Sequence, residues 1–295
     1  MSMKTNTTAA SDITVRAREV DFVTRFAANW DALREVLSIA RPVRKTPGST
    51  LTAWKAEIDL QDGAVGEGEE IPYSKATITP VSTTELTLRK YAKAVSIEAV
   101  EHYGAQVAVQ RTDDALLSEL QGRVLDSFYA TLKTGTLTGT EKDFQMAVAI
   151  AIGKVTDKFK KLRRDTSHIT VFVNTLDAYR YLGAAQLSVQ NAFGMQYVRG
   201  FMGAGALVLT SEIEEGTVIA CPADNIVLYY VDPGDADFRQ LGLEYTVQGE
   251  TNLIGFHAGG NYATAVGESF AIMGMALWAE VLDGIAVIQV DENAA

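Results

Sequence analysis

Three histidines are the residues of the chain most able to hold a metal. His102, His168 and His257 lie far apart in the sequence, and the chain contains no HExxH or CxxC motif. The single cysteine, Cys221, has no neighbour in sequence that would lower its pKa, so we interpret it as a small buried hydrophobic residue. A lone cysteine also excludes an internal disulfide and fits folding in a reducing cytoplasm. We predict no metal site.

Motifs for a nucleophile or for phosphate binding are incomplete. Ser269 lies in VGESFA, which lacks the second glycine of a GxSxG turn. The glycine-rich segments GFMGAGALVL and GAVGEGEEI do not join a predicted strand to a helix, and TGTLTGTEK lacks the spacing of GxxxxGK[ST]. The carboxylates of EIEEG are typical of a solvated turn. The sequence therefore predicts no catalytic or cofactor-binding residue, and a protein that is not an enzyme.

A cluster of basic residues ends a predicted helix, DFQMAVAIAIGKVTDKFKKLRRD, and stands out in an acidic chain. Its position favours a role in complementing the negative end of the helix dipole, with an anion- or nucleic-acid-binding patch as the alternative. The 295 residues carry a net charge of −11, so general attraction to phosphate backbones is not expected. The cluster contains Lys158, Lys160, Lys161, Arg163 and Arg164.

Neither end of the chain predicts export or a membrane span. MSMKTNTTAASD has no apolar run after Lys4, unlike a signal peptide. The apolar run FAIMGMALWA is about half of the ~20 residues that a spanning helix needs, and Glu268 and Glu280 bound it. We expect a protein made in the cytoplasm, with no membrane partner.

The first part of the chain predicts extended structure with apolar surfaces that need partners. Residues 1–20 are predicted to form a mobile tail, followed by an amphipathic helix from near Asp21 and the extended linker ARPVRKTPGST. The helix stripe needs a partner surface on this chain or on another. Its members are Phe22, Phe26, Trp30, Leu33 and Leu37.

A long hairpin is predicted next. LTAWKAEIDL and VSTTELTLRKYAKAVSI alternate apolar and polar residues on either side of the segment GAVGEGEEIPYSKATITP, residues 63–80. Two strands of about ten residues at ~3.3 Å each make a hairpin on the order of 30 Å long, with Pro72 and Pro80 restricted to an edge or a bulge. Such a hairpin is marginal alone in water, so another surface must cover it.

The rest of the chain predicts an α+β fold and not a doubly wound one. Residues 97–135 predict the longest helix, ended by Gly135, and the second helix follows it. ITVFV predicts a buried strand, followed by a helix that Asn174 or Thr175 opens. The predicted late strands are ALVLTSEI, TVIAC, NIVLYYV, LEYTV and IAVIQV.

This order of parts resembles the tailed-phage major capsid protein family, with its Hong Kong ninety-seven type shell fold. The segments that carry the resemblance run from the linker and the hairpin to LTLRKYAKAVSIEAVEHYGAQVAVQ, FYATLKTGT, VFVNTLDAYRYLGA and GALVLTSEIEEGTVIACPADNIVLYYV. It implies five segments: an N-terminal arm, an extended hairpin (E-loop) with its return strand, a peripheral domain with a long spine helix, a mainly axial domain of mixed α/β structure, and a C-terminal strand returning to the peripheral domain. Their bounds are 1–50, 51–96, 97–165, 166–275 and 276–295.

The resemblance also implies a function and partners. Copies of the chain would assemble as pentamers and hexamers into an icosahedral virion shell around double-stranded DNA, without sequence-specific DNA binding. Assembly would take place in the host cytoplasm with a separate scaffolding protein, because the arm helix begins soon after the N-terminus, and with a portal. The hairpin would lie over the adjacent subunit. The implied intersubunit contacts are Trp54, Glu67, Glu69, Glu70, Tyr73, Lys75 and Arg89.

Some relatives crosslink their subunits through a hairpin Lys, an Asn and a catalytic Glu. Lys75 lies in the hairpin and could be such a lysine, but no Asn or Glu matches that motif, so crosslinking is not expected. Two other functions stay open at this point. One is an encapsulin-type bacterial nanocompartment shell of the same fold, and the other is a hydrolase that uses carboxylates or Ser269.

Overall fold

The structure, a computed structural model, describes residues 10–39, 42–164, 166, 168–183, 189–248 and 251–291. It contains helices on both faces of mixed sheets. The helices are α1 Ala10–Val36, α2 Ile97–Tyr103, α3 Arg111–Leu132, α4 Phe144–Lys161, α5 Thr175–Leu182 and α6 Ala236–Gln240. A π-helical turn spans Gln106–Gln110, and 3₁₀ turns span Phe201–Gly203, Ala223–Asn225 and Leu282–Gly284.

The strands form a five-stranded sheet, a seven-stranded sheet and a separate two-stranded sheet. The first half of the chain contributes β1 Val43–Arg44, β2 Thr50–Asp59, β3 Lys75–Glu85, β4 Arg89–Ser96 and β5 Leu137–Glu141. The second half contributes β6 Ile169–Asn174, β7 Gln190–Ala192, β8 Met195–Arg199, β9 Ala206–Thr210, β10 Thr217–Pro222, β11 Ile226–Val231, β12 Ile254–Asn261, β13 Val266–Ala279 and β14 Ala286–Val290.

The 14-residue strand β13 organises the five-stranded sheet. Its first half lies between β4 and β12, its second half pairs with β11, and β1 extends the sheet in parallel beyond β11. Helix α3 packs against β13 and helix α1 against β12. The sequence prediction missed this strand, since FAIMGMALWA has no period-two alternation. A strand that is buried on both faces reads as a continuous apolar run.

The seven-stranded sheet has the order β5-β14-β10-β6-β9-β8-β7 and mixes parallel with antiparallel pairs. Strand β6 is buried throughout: Val171 and Val173 lie in one apolar cluster with α4, and Phe172 lies in the other with α3. Both helices therefore need this sheet to bury their apolar stripes. The C-terminal strand β14 pairs with β10 and β5 in the same sheet.

Helix α1 is longer than the sequence predicts and is covered by its own chain. It begins at Ala10 instead of near Asp21, so residues 10–20 are helical and the predicted tail is wrong there, while residues 1–9 lie outside the described residues. The ring of Phe22 stacks on that of Phe256 in β12 at 4.1 Å, and Phe26 meets Phe193 edge-on. All five residues of the predicted stripe are buried. The partner surface of the α1 stripe is therefore on the same chain.

A buried ionic cluster ties α1 to α3, β4 and β13. Arg18 donates two hydrogen bonds to the carboxylate of Asp113, at 2.6 and 2.8 Å, and one to the hydroxyl of Ser269 at 2.7 Å. Lys93 lies 2.6 Å from the same carboxylate. Burial alone would raise the pKa of Asp113, but the hydrogen bonds from Arg18 and Lys93 outweigh it and hold that pKa below its usual value. Burial also lowers the pKa of Lys93.

The predicted 97–135 helix is interrupted. Gly104 ends α2 with φ 80° and ψ 146°, a backbone conformation open to glycine, and a π-helical turn leads into α3. At 22 residues α3 is shorter than the 27-residue α1, so the prediction of the longest helix was wrong. Gly135 follows α3, but its role differs from a left-handed cap. A Cβ there would lie 2.7 Å from Ile285, so close packing requires the glycine.

Other predicted elements are largely as expected. Asp143 caps α4 through Met146, and Asn174 caps α5 through Leu176, as the spacing of capping residues indicates. LEYTV is not a strand, since only Thr246 forms an isolated bridge, to Phe256. The short strand β5, within TGTLTGTEK, was not predicted.

Candidate intersubunit surface

The two-stranded sheet of β2 and β3 is the element that projects without a sheet of its own. In the part of the chain that the structure describes, these strands pair only with each other, from Thr50–Glu85 at the base to Asp59–Lys75 at the far end. A backbone hydrogen bond of 2.7 Å from the amide of Trp54 to the carbonyl of Glu280 anchors the base. The second strand of the hairpin is therefore 75–85. The predicted return strand was wrong in part, because its later residues form β4 and pair with β13.

The apolar residues of β2 change faces along the strand. Leu51 and Ala53 are buried, and a register shift follows between Ala53 and Trp54, opposite Pro80. Pro80 thus lies at an irregularity, as its missing N–H requires. Beyond it the apolar side chains of Trp54, Ile58 and Ile78 are exposed, by 44%, 66% and 62%. We call these three residues the apolar wall.

Residues 61–74 form the hairpin tip, which is almost entirely exposed. The carboxylate of Glu69 accepts a hydrogen bond of 2.9 Å from the amide of Gly66, and Gly68 has φ 83°, so the acidic turn is held locally. Glu67 and Glu70 are exposed beside it. Two apolar side chains complete the tip, Ile71 at 68% and Tyr73 at 91% exposure. Exposed aromatic and aliphatic groups on an otherwise polar tip are typical of contact surfaces.

Most of the residues predicted from sequence to contact other subunits lie on this one hairpin. Trp54 is near its base, Glu67, Glu69, Glu70 and Tyr73 are in the tip, and Lys75 opens β3 opposite Asp59. Arg89 is exposed but begins β4, opposite Met273, and so belongs to the five-stranded sheet.

A cleft of about 960 Å³ separates the apolar wall from the end of α4. Its other side is formed by residues 161–164 and by part of the turn after β13. We call Lys161, Arg163 and Arg164 the cationic rim. The sequence prediction assigned these residues to the helix dipole and did not connect them with the hairpin. Only the fold brings the two segments together, and no spacing signal links residues a hundred positions apart.

The end of α4 adopts an unusual cap. The amide of Arg164 donates to the carbonyl of Phe159 and that of Arg163 to Lys160, both at 2.9 Å, which is the Schellman arrangement. Arg163 occupies the left-handed position of this cap with φ 55°, where glycine is the common residue.

Two of the residues considered for chemistry, Ser269 and Cys221, lie in the interior of the subunit. Ser269 is buried, and its hydroxyl accepts the hydrogen bond from Arg18. Cys221 is fully buried and burial raises the pKa of its thiol to about 12, in agreement with a structural role. His257 is paired with Phe270 across the sheet and stacks on its ring. In the described residues no three His, Cys, Asp or Glu side chains group as metal ligands would.

Comparison with solved structures identifies the fold. The capsid of a native GTA particle matches with 11% identity and a TM-score of 0.54, over 88% of this chain and 89% of that one. Structures from Mycobacterium phage Patience (12% identity, TM-score 0.50, 98% and 91%) and Mycobacterium phage Ogopogo (14%, 0.50, 87% and 91%) also match. The chain has the tailed-phage major capsid fold. The predicted α+β capsid architecture is thereby confirmed.

Two comparisons at the level of sequence find no match. No protein-family model matches the chain, and no curated protein matches it. Within the described residues, no helix combines the length and apolarity needed to cross a membrane. The apolar wall, the tip and the cleft together form the candidate surface for assembly.

Proposed function

We propose that the protein is the major capsid protein of a tailed phage, which assembles as pentamers and hexamers into an icosahedral shell around double-stranded DNA. One observation carries the proposal. In a subunit with a capsid fold, the β2–β3 hairpin forms a separate sheet, and the described residues leave its apolar wall exposed to solvent. A two-stranded sheet is marginal in water on its own, so a surface of this kind gains stability by covering a neighbour.

The role of the protein in the shell is structural and not enzymatic. Each of the intersubunit residues predicted from sequence acts by burial or ion pairing with a neighbouring copy. The predicted segments keep their bounds in this proposal: the arm 1–50, the hairpin with its return strand 51–96, the peripheral part 97–165, the mainly axial part 166–275 and the C-terminal part 276–295.

The proposed partners follow from the chemistry of the subunit. An exposed acidic surface and a net charge of −11 favour enclosing DNA without binding tightly to it, since binding rewards clustered cations. A separate scaffolding protein and a portal would guide assembly, which takes place in the host cytoplasm before the virion is complete.

The proposal is tested by the mass of the purified protein. Light scattering after size-exclusion chromatography, across protein concentration and salt, should show a transition from subunits or capsomers to shells. The same measurement is repeated with a scaffolding protein from the genome that encodes the chain. Negative-stain microscopy should then show closed icosahedral particles.

Two results would contradict this function. A monomer under every condition, also with scaffolding protein, would favour a soluble enzyme. Small uniform cages that form without scaffolding protein and enclose host proteins would favour a nanocompartment shell.

A further inference from the structure

The cleft between the hairpin and α4 carries unbalanced positive charge. Its three acidic lining residues already have partners: Glu57 is 2.6 Å from Lys55, Asp283 is 2.8 Å from Lys158, and Glu280 accepts from the hydroxyl of Tyr229. Arg163 and Arg164 are exposed, and the described residues supply neither guanidinium with a carboxylate. Among the described residues, the two arginines therefore outnumber the one lining carboxylate without a cation, that of Glu280, and the cleft is positive in a chain whose net charge is −11.

The backbone of Arg163 gives an independent reason to expect a partner. A non-glycine residue in the left-handed region costs about 1 kcal/mol, and Gly at this cap position would avoid that cost. The helix dipole does not explain the arginine, because Lys158, Lys160 and Lys161 already supply positive charge in the last turn of α4. A strained arginine to which the described part of the chain supplies no carboxylate fits a residue kept for binding.

The hairpin tip has the complementary chemistry. Glu67 and Glu70 present carboxylates, and Ile71 and Tyr73 present apolar groups within the same few residues. The cleft offers guanidinium groups on one side and the apolar wall on the other. In this structure the tip does not lie in its own cleft, since Ile71 and Tyr73 remain exposed.

We propose that the cleft receives the hairpin tip of a second copy of this chain, with the tip carboxylates on the cationic rim and Ile71 and Tyr73 on the apolar wall. This rests on the proposed function and names the contact by which one subunit holds the next. Double-stranded DNA fits less well, because phosphates would use the rim and leave the apolar wall exposed.

A peptide tests the contact without shell assembly. The probe is a synthetic peptide of residues 61–74, added to the full-length subunit. Trp54 reports binding because it is the exposed tryptophan of the chain's three, while Trp30 and Trp278 are buried. The expected result is a saturable blue shift of its emission. The shift should weaken at least ten-fold for a peptide with Glu67→Lys and Glu70→Lys, and no shift with the unaltered peptide would overturn the proposal.

Charge reversal tests the contact in the shell. Subunits with Glu67→Lys and Glu70→Lys, or with Arg163→Glu and Arg164→Glu, should each need at least ten-fold higher concentration to assemble. Equal mixtures of the two variants should recover assembly in part, because every mixed contact is attractive and a hexamer can alternate the two variants, whereas a pentamer keeps at least one like contact. Glu212→Lys with Glu214→Lys makes the same change in net charge as the tip variant, but on an exposed turn, and should assemble normally.

Arg163→Gly is the control for a loss of assembly that is caused only by unfolding. It relieves the left-handed strain, so its melting temperature should be equal to or higher than that of the wild type, while its assembly weakens.

Normal assembly of both charge-reversed variants would overturn the tip contact and leave the shell function standing. Loss of DNA retention without loss of assembly in the arginine variant would overturn it in favour of DNA.

Discussion

At the scale of single residues, the best-defined interaction is the carboxylate of Asp113 between Arg18 and Lys93. Its side chain is 4% exposed, whereas those of Arg18 and Lys93 are 27% and 15% exposed. Removing the one buried anion leaves two cations without a partner, which is costlier than losing the attraction itself. The four elements that meet there depend on it.

We predict that Asp113→Asn lowers the free energy of unfolding by about 3 kcal/mol at pH 7, at the low end for a broken buried pair because both cations keep some solvent. The pKa of Asp113 is depressed in the folded state, so its contribution is present above the unfolded pKa of about 4 and is lost as pH falls through the folded value. Denaturant titrations at pH 7, 5 and 3 should show that the difference in unfolding free energy between the variant and the wild type, the gap, narrows as the pH falls. Asp157→Asn, which breaks an exposed pair with Lys161, is the control and should change stability by less than about 0.5 kcal/mol. A gap that stays constant with pH would contradict the assignment.

Gly284 and Gly153 make a matched pair, because a side chain would have no room at the first and open space at the second. Gly284 has the ring of Phe159 2.5 Å from where a Cβ would lie, whereas Gly153 in α4 has open space. Gly284→Ala should destabilise the subunit by about 1–3 kcal/mol through overpacking, and Gly153→Ala should stabilise it by about 0.5–1 kcal/mol through helix propensity. Thermal melting of both variants decides this. Equal effects of the same sign would mean that the turn before β14 adapts freely.

At the scale of elements, strand β2 divides into a part that folds the subunit and a part that faces outward. Leu51→Ala removes a fully buried side chain and should cost about 2–5 kcal/mol of stability. Ile58→Ala with Ile78→Ala, on the exposed wall, should change stability by less than about 0.5 kcal/mol each and should weaken assembly instead. Denaturation and light scattering measure the two effects. A large loss of stability from the wall variant would show that the hairpin is part of the subunit core.

The sequence predicted those elements whose stabilisation is local. The stripe of α1, the cap residue Asn174 and the buried strand β6 follow from spacing and capping chemistry. Strand β3 was placed too late because VSTTE lacks an apolar alternation, and β13 was missed because burial on both faces removes the alternation. The start of α1 also depends on tertiary packing, since Glu19 is buried and accepts a hydrogen bond from Ala258 in β12.

The candidate surface was predictable only in part. The acidic tip and Trp54 could be found in sequence because they lie in one short hairpin. The cationic rim could not be assigned, because a basic helix end has an adequate local explanation in the dipole. The cleft changes the interpretation of this basic helix end, because it places Arg163 and Arg164 opposite Ile58 and Ile78.

At the scale of the whole molecule, the fold divides into a core that buries its apolar faces within the subunit and a hairpin that exposes its own. Helix α1, the two large sheets and the helices on them bury their apolar faces within the chain. The apolar wall and the tip do not. This division is the central claim, because it separates what makes the subunit stable from what makes it assemble.

Replacing residues 60–74 by Asn-Gly, a two-residue turn that joins the paired residues Asp59 and Lys75, tests that claim most directly. Melting temperature and sedimentation velocity are measured on the same samples, with scaffolding protein present, and a Gly-Ser segment of equal length serves as the control for chemistry rather than length. We predict a melting temperature within about 2 °C of the wild type and no shells from either replacement. Shells that form at the wild-type concentration, or a subunit that no longer folds, would contradict the account.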